Sequence, residues 1–280
     1  MLYLGLAIFS SAMVSTIMRL GEEKIKNNMG MFVSNYIVCA LLSLIFMGGK
    51  NLFVADSGMV TVLLLGVISG ILYLASFVLL QLNIRKNGVV LSATFMKLGV
   101  LIPTIMAIVI FHERPKILQI LGILLAIAAI IMIHFEKEDA GKANYKILLI
   151  MLMVGSGFTD AMANIYDKLG SSGLKNHYLF FTFVMAAVCA FVLWIKEKQS
   201  LSIWDVICGI CIGIPNYFSS RFLLGALHSI AAVIVYPVYS VVTIVVISLL
   251  SFLLFKERLS KKKMVAIGMI FGSLILLNVV

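Results

Sequence analysis

Three ionisable side chains stand inside long apolar stretches of this 280-residue chain: Lys97, Asp160 and Arg221. A charge in hydrocarbon is costly, so such a residue faces a bundle interior or a watery cavity and marks a functional site by default. At 1.5 Å of helix rise per residue, Lys97 lies about 12 Å and Asp160 about 20 Å from one membrane face. Arg221 lies three residues before Leu224, the end of its stretch, and so near the opposite face. Asp160 and Arg221 share a half of the membrane and could pair. Lys97 has no acidic residue at its depth. A lone buried ammonium suits a solute carboxylate or phosphate, or loses its proton, since burial lowers a lysine's pKa. A carboxylate such as Asp160 suits an amine or a proton. Plainer roles stand beside these. Arg221 could snorkel to headgroups, Lys97 could snorkel toward Arg85 and Lys86, and Asp160 could make a structural hydrogen bond.

Helical spacing adds uncharged groups on shared faces. Ser156, Asp160, Ala163, Asn164 and Asp167 recur at steps of three and four. So do Tyr236, Tyr239, Ser240 and Thr243, with Pro237 loosening the backbone among them. Asn216 pairs in spacing with Ser220, and Tyr217 with Arg221, while Tyr73, Ser76 and Phe77 sit on an earlier stretch. The hydroxyls read best as weak glue between helices. The tyrosines read as cavity lining, because an amphipathic ring suits a part-apolar solute. The candidate substrate-binding set is therefore Lys97, Asp160, Arg221, Tyr73, Asn164, Asn216, Tyr217, Tyr236 and Tyr239, with no catalytic residue, metal or cofactor expected.

The elements that must carry these groups follow from composition. The chain is 62% apolar and 12% charged, with mean hydropathy +1.13. A soluble domain is about half apolar and about 25% charged, so the solvent here is lipid. Ten apolar runs cover 2–18, 29–47, 59–82, 89–111, 117–135, 147–165, 178–195, 203–224, 230–255 and 264–280. Runs this long and unalternating must be helices, since only helices and closed barrels satisfy their backbone in lipid. The first reads as a retained span and not a signal peptide. Breaks at 48–51, 85–88 and 171–173 carry loop residues, and Trp194 and Trp204 flank one loop as interfacial anchors. The net charge of +10 sits in these breaks and is not a nucleic-acid footprint. Cys39, Cys189, Cys208 and Cys211 lie within apolar runs and read as small buried hydrophobes, not zinc ligands.

The chain repeats itself. Residues 111–114 read Phe-His-Glu-Arg and residues 255–258 read Phe-Lys-Glu-Arg, an offset of 144. At that offset Tyr73 meets Tyr217 and Ser76 meets Ser220. One residue out of register, Gly66 and Gly70 meet Gly209 and Gly213. Two halves follow: a five-helix repeat at 1–135, a charged loop at 136–146, and a second repeat at 147–280. Five is odd, so the second repeat enters the membrane inverted. Inverted repeats are a signature of secondary carriers, whose site lies near the midplane.

The segments FHERPKILQILGILLAIAAIIMI and FKERLSKKKMVAIGMIFGSLILL resemble EamA-type members of the drug/metabolite transporter superfamily, and the resemblance covers essentially the whole chain. It implies a ten-helix carrier working by alternating access, with a cavity between the repeats. It also implies structural roles for Glu113, Arg114, Glu257 and Arg258, and both termini in the cytoplasm. Lysine and arginine count the other way. Fifteen lie in loops after odd-numbered spans and five in loops after even-numbered ones, which places the odd loops inside.

The expected protein is thus an all-α, multi-pass integral membrane protein, in a bacterial cell membrane, that moves a small organic metabolite. An amino acid or related zwitterion or anion fits the charges best. Expected partners are the small-molecule substrate, membrane lipids and protons, with no nucleic acid, and the chain acts as a monomer or homodimer. There is no GxxxxGK[ST] loop, so ATP hydrolysis within this chain does not drive transport. Two alternatives stay open: a cationic drug or amine exporter using Asp160, and a membrane enzyme acting on a lipid-linked substrate. An enzyme needs clustered acid and base groups, whereas His112, His134, His177 and His228 are scattered near span ends. A channel needs rings of charge that a single chain of this kind lacks.

Overall fold

The computed structural model describes residues 1–49, 51–87, 89–134, 145–255 and 261–277. Among these there are helices and turns and no strands. The helices are α1 (Leu2–Gly21), α2 (Asn28–Phe46), α3 (Met59–Asn87), α4 (Val89–Leu98), α5 (Leu101–Val109), α6 (Ile117–His134), α7 (Lys146–Leu169), α8 (Lys175–Glu197), α9 (Ile203–Leu227), α10 (Ala232–Phe255) and α11 (Lys261–Leu277). Each of the ten apolar runs is helical where described, but the fourth is two helices, α4 and α5. Seven helices are long and apolar enough to cross a membrane, and three shorter apolar ones lie at Phe95–Val109, Ile117–Met132 and Met264–Leu277. The break expected around 85–88 also moves: α3 carries Arg85 and Lys86 in its last turn. Cations there face the negative end of the helix dipole, so the helix outlasts its apolar core.

The chain divides into two compact units, Met1–Leu74 with Ile165–Ala226, and Ala75–Asn164 with Leu227–Val280. In the first, α2 packs on α8, and small residues let backbones meet. A Cβ on Gly70 would fall 2.5 Å from the carbonyl oxygen of Thr182 in α8, and one on Gly209 would fall 2.5 Å from that of Met31 in α2. The GxxxG pairs are thus helix-crossing points. Loops are pinned by Asp205, which is fully buried. It accepts the amides of Lys26 (2.8 Å), Asn27 (3.2 Å) and Ser202 (2.8 Å).

In the second unit α6 packs on α11, α5 and α6 on α10, and α4 on α6. Ser273 donates to the carbonyl of Gly122 at 2.8 Å. Just before α6, the Glu113 carboxylate accepts the amides of Ala232 (3.2 Å) and Val233 (2.9 Å), the first two residues of α10. An anion there satisfies orphan donors and faces the positive end of the dipole. Glu257 and Arg258, its counterparts in the repeat, lie outside the described residues. Glu113→Ala is expected to lower stability by about 1–2 kcal/mol, with Glu113→Gln losing less. Thermal unfolding in detergent checks this, and an unchanged Tm in both variants refutes it.

All four cysteines are free; Cys39 and Cys208 are buried, Cys189 is half-buried and Cys211 is exposed. The reading of all four as buried therefore fails at Cys211, which lies on an open face of α9.

Candidate functional site

The second unit holds the interrupted helix. Backbone bonds tighten from the α to the three-residue pattern there: the amide of Gly99 reaches Met96 at 3.2 Å, Val100 reaches Lys97 at 3.3 Å, and Ile102 reaches Gly99 at 2.9 Å. Pro103 follows in the first turn of α5, where a missing amide proton costs nothing. The Met96 carbonyl, besides taking the Gly99 amide, accepts the Ser156 hydroxyl of α7 at 3.1 Å. Irregular backbone at membrane depth is tolerated only inside protein or beside a watery cavity, and carriers place their ligand sites at such breaks.

Lys97 lies in the last turn of α4, immediately before this break. It is half-buried, while Asp160 on α7 is exposed. The two groups are near enough for each to feel the other's charge. This corrects the expectation that Lys97 has no acid at its depth. The depth count separates the two by about 8 Å, but it measures backbone, and a lysine's flexible four-carbon stem covers such a gap.

The Tyr236 hydroxyl of α10 donates to the backbone carbonyl of Asp160 at 2.8 Å. Tyr239, half-buried, follows on the same helix. One turn beyond Asp160, Asn164 is 1% exposed, and among the described residues neither end of its amide has a hydrogen-bond partner. The Thr243 hydroxyl of α10 is buried and unpartnered in the same way. Each such group costs about 1–3 kcal/mol unless something meets it. Five of the nine expected residues, Lys97, Asp160, Asn164, Tyr236 and Tyr239, therefore belong to this unit.

The other four, Tyr73, Asn216, Tyr217 and Arg221, belong to the first unit. Arg221 donates through Nη1 to Asn176 Oδ1 (2.6 Å) and to the Tyr217 hydroxyl (2.9 Å). Its guanidinium lies 4.4 Å above the Phe46 ring. Phe46 stacks on Tyr217 at 5.7 Å, and Phe183 joins Tyr217 to Tyr73 at 6.5 and 6.3 Å. Tyr217 is fully buried, so it is core and Arg221 anchor at once. Asn216 donates to Asn35 Oδ1 at 3.2 Å. The expected pairing of Asp160 with Arg221 joins residues of different units, and each has the partners just described inside its own.

An open cavity of about 590 Å³ lies along α1 and α9, its wall including Met13, Ile17, Cys211, Ile214, Phe218 and Phe222. Apart from Cys211, none of these stands out in the sequence. Ile214, Phe218 and Phe222 recur every fourth residue, but an apolar stripe in an apolar chain has no contrast. Phe46, Lys175 and Asn176 are missed for a different reason, since they sit at span ends and read as boundary residues.

Comparison with known proteins adds to this geometry. An uncharacterized protein of Haemophilus influenzae is 27% identical over 208 residues, covering 72% of this chain and 70% of its own. A protein of known crystal structure, 11% identical, superposes with a TM-score of 0.78 over 99% of this chain and 95% of its own. At that identity it speaks for the fold alone. The profile of the EamA-like transporter family matches twice, over residues 1–135 and 147–279. With almost no part of the chain left outside those two matches, this multi-pass integral membrane protein belongs to the EamA-like transporter family.

Proposed function

We propose that the chain is a secondary carrier for a small zwitterionic or anionic metabolite, such as an amino acid or a relative of one, working by alternating access in a bacterial cell membrane. The observation that carries this reading is the place of Lys97 in the last turn of α4, beside the break to α5, with Asp160 near enough for each charge to feel the other. A zwitterion exchanges both partners at once: its carboxylate replaces Asp160 at Lys97, and its amine replaces Lys97 at Asp160. After release the two opposite charges again compensate each other in the empty carrier. The unpartnered amide of Asn164, one turn away, can accept from an amine or donate to a carboxylate. The Tyr236 hydroxyl holds the backbone at Asp160 and Tyr239 follows on the same helix, while Tyr73, Asn216, Tyr217 and Arg221 are further polar candidates within the first unit.

Ten crossings in two inverted repeats remain the architecture we favour. The helix pairs support it. Exchanging the repeats maps α2–α8, α6–α11 and α5–α10 onto themselves, and maps α4–α6 onto α10–α11. It also maps the seat of Gly66 and Gly70 on α8 onto the seat of Gly209 and Gly213 on α2.

Purified protein in liposomes, loaded with and then challenged by a panel of amino acids, organic anions, cationic amines and lipid-linked precursors, tests the reading. Counterflow of a zwitterion or anion is expected. Movement of cationic amines alone favours the exporter alternative. Turnover of a precursor without transport favours the enzyme.

A further inference from the structure

Arg221 is held unusually tightly for a residue that would only snorkel. Both Nη1 protons are committed, to Asn176 and Tyr217, and the guanidinium plane rests on Phe46. Asn176 is itself fixed, donating through Nδ2 to the Phe46 carbonyl. What remains is one edge, Nε and Nη2, with no partner among the described residues. That edge is the pair of parallel donors that grips a carboxylate or phosphate. Lys175, the first residue of α8, is a second cation whose charge acts on Arg221, and the acid acting on Lys175 is Asp167. Two cations set against one carboxylate leave a net positive site.

The site's depth matters too. Arg221 lies six residues before Leu227, the end of α9, which is about 9 Å of helix and close to headgroup level. Every group named here is in the first unit, so the site does not involve Lys97 or Asp160.

We infer that Arg221 and Lys175, braced by Asn176, Tyr217 and Phe46, form an anion-binding site for a phosphate-type group. The group can arrive on a soluble anion or on an anionic phospholipid. The chemistry at the guanidinium edge is the same, and the source decides whether the site screens solutes or anchors the carrier to its bilayer.

The test uses the full chain in neutral detergent. Its Tm is followed while inorganic phosphate replaces chloride at constant ionic strength. In parallel, the protein is placed in nanodiscs of phosphatidylcholine with or without phosphatidylglycerol. A saturable rise in Tm with free phosphate supports a soluble anion. A rise with phosphatidylglycerol alone, with that lipid retained in native mass spectrometry, supports the headgroup. In either case Arg221→Gln should weaken the response about tenfold, and Arg221→Lys should weaken it less, since it keeps the charge and loses the fork. Because Arg221→Gln also removes two hydrogen bonds and could fail to fold, Lys175→Gln, expected to weaken the response several-fold, carries the test independently. Lys97→Met should leave it unchanged, so this site and the transport reading fail separately. No anion-specific shift from either source, or an equal shift in both glutamine variants, overturns the proposal.

Discussion

Lys97→Met is expected to lower the initial uptake of a zwitterionic or anionic solute about 100-fold while the protein stays folded and monodisperse. The size follows from removing one ionised partner of a charge-assisted bond, about 1.5–3 kcal/mol. The folded state survives for a different reason. Stranding one member of a fully buried pair costs about 3–5 kcal/mol, but Asp160 is not enclosed by protein, so the carboxylate that the substitution leaves behind is not sealed in a packed core. The cost in stability should fall well below that range.

Two companion variants separate the roles. Asp160→Asn should lose zwitterions and keep anions, because Lys97 then faces only a neutral amide. Lys97→Arg should keep transport with altered affinity, since a planar fork is not a point charge. Uptake in proteoliposomes, normalised to correctly inserted protein, reads all three. Full activity of Lys97→Met would mean that the ammonium only snorkels toward the membrane face, and the proposed ligand exchange would have to be abandoned.

Lipid as solvent makes the gross fold legible. Each apolar run has to be a helix because nothing else closes its hydrogen bonds, and the echoed Phe-x-Glu-Arg marks the repeat. Finer features depend on what meets each helix. Pro103 hints at irregular backbone, yet the break falls at Gly99 and Val100, where α7 arrives from another run. Lys97 and Asp160 are 63 residues apart, and depth along a straight axis says nothing of which helices are neighbours. Glu113 is conspicuous in the repeat, but its role as a cap becomes visible only once the start of α10 is beside it. The cavity wall of Met13, Ile214 and Phe218 could not be found by composition, since apolar residues in a membrane chain serve lipid, core and ligand alike.

Gly157 should be the most sensitive apolar position of the second unit. It sits on α7 where that helix crosses the break. A Cβ added there would lie 2.5 Å from the Gly99 carbonyl oxygen and 2.5 and 2.6 Å from Cγ1 and Cβ of Ile102. None of these atoms is the far end of a flexible chain. The Gly99 carbonyl also receives the Ile102 amide at 2.9 Å, so it cannot turn aside without opening the first turn of α5. The reciprocal contact is as close, since a Cβ on Gly99 would strike the Ser156 hydroxyl and the Met153 carbonyl. Overpacking a filled site costs about 1–3 kcal/mol, and here it pushes directly on the turn that carries Lys97. Gly157→Ala should therefore lower both Tm and uptake, and Gly157→Leu should prevent recovery of monodisperse protein. Gly268→Ala is the matched control. No atom lies within 4 Å of its added Cβ, and alanine is favoured over glycine in a helix by about 1 kcal/mol, so its Tm should hold or rise. Equal behaviour of Gly157→Ala and Gly268→Ala would show that α7 does not need its close approach to the break.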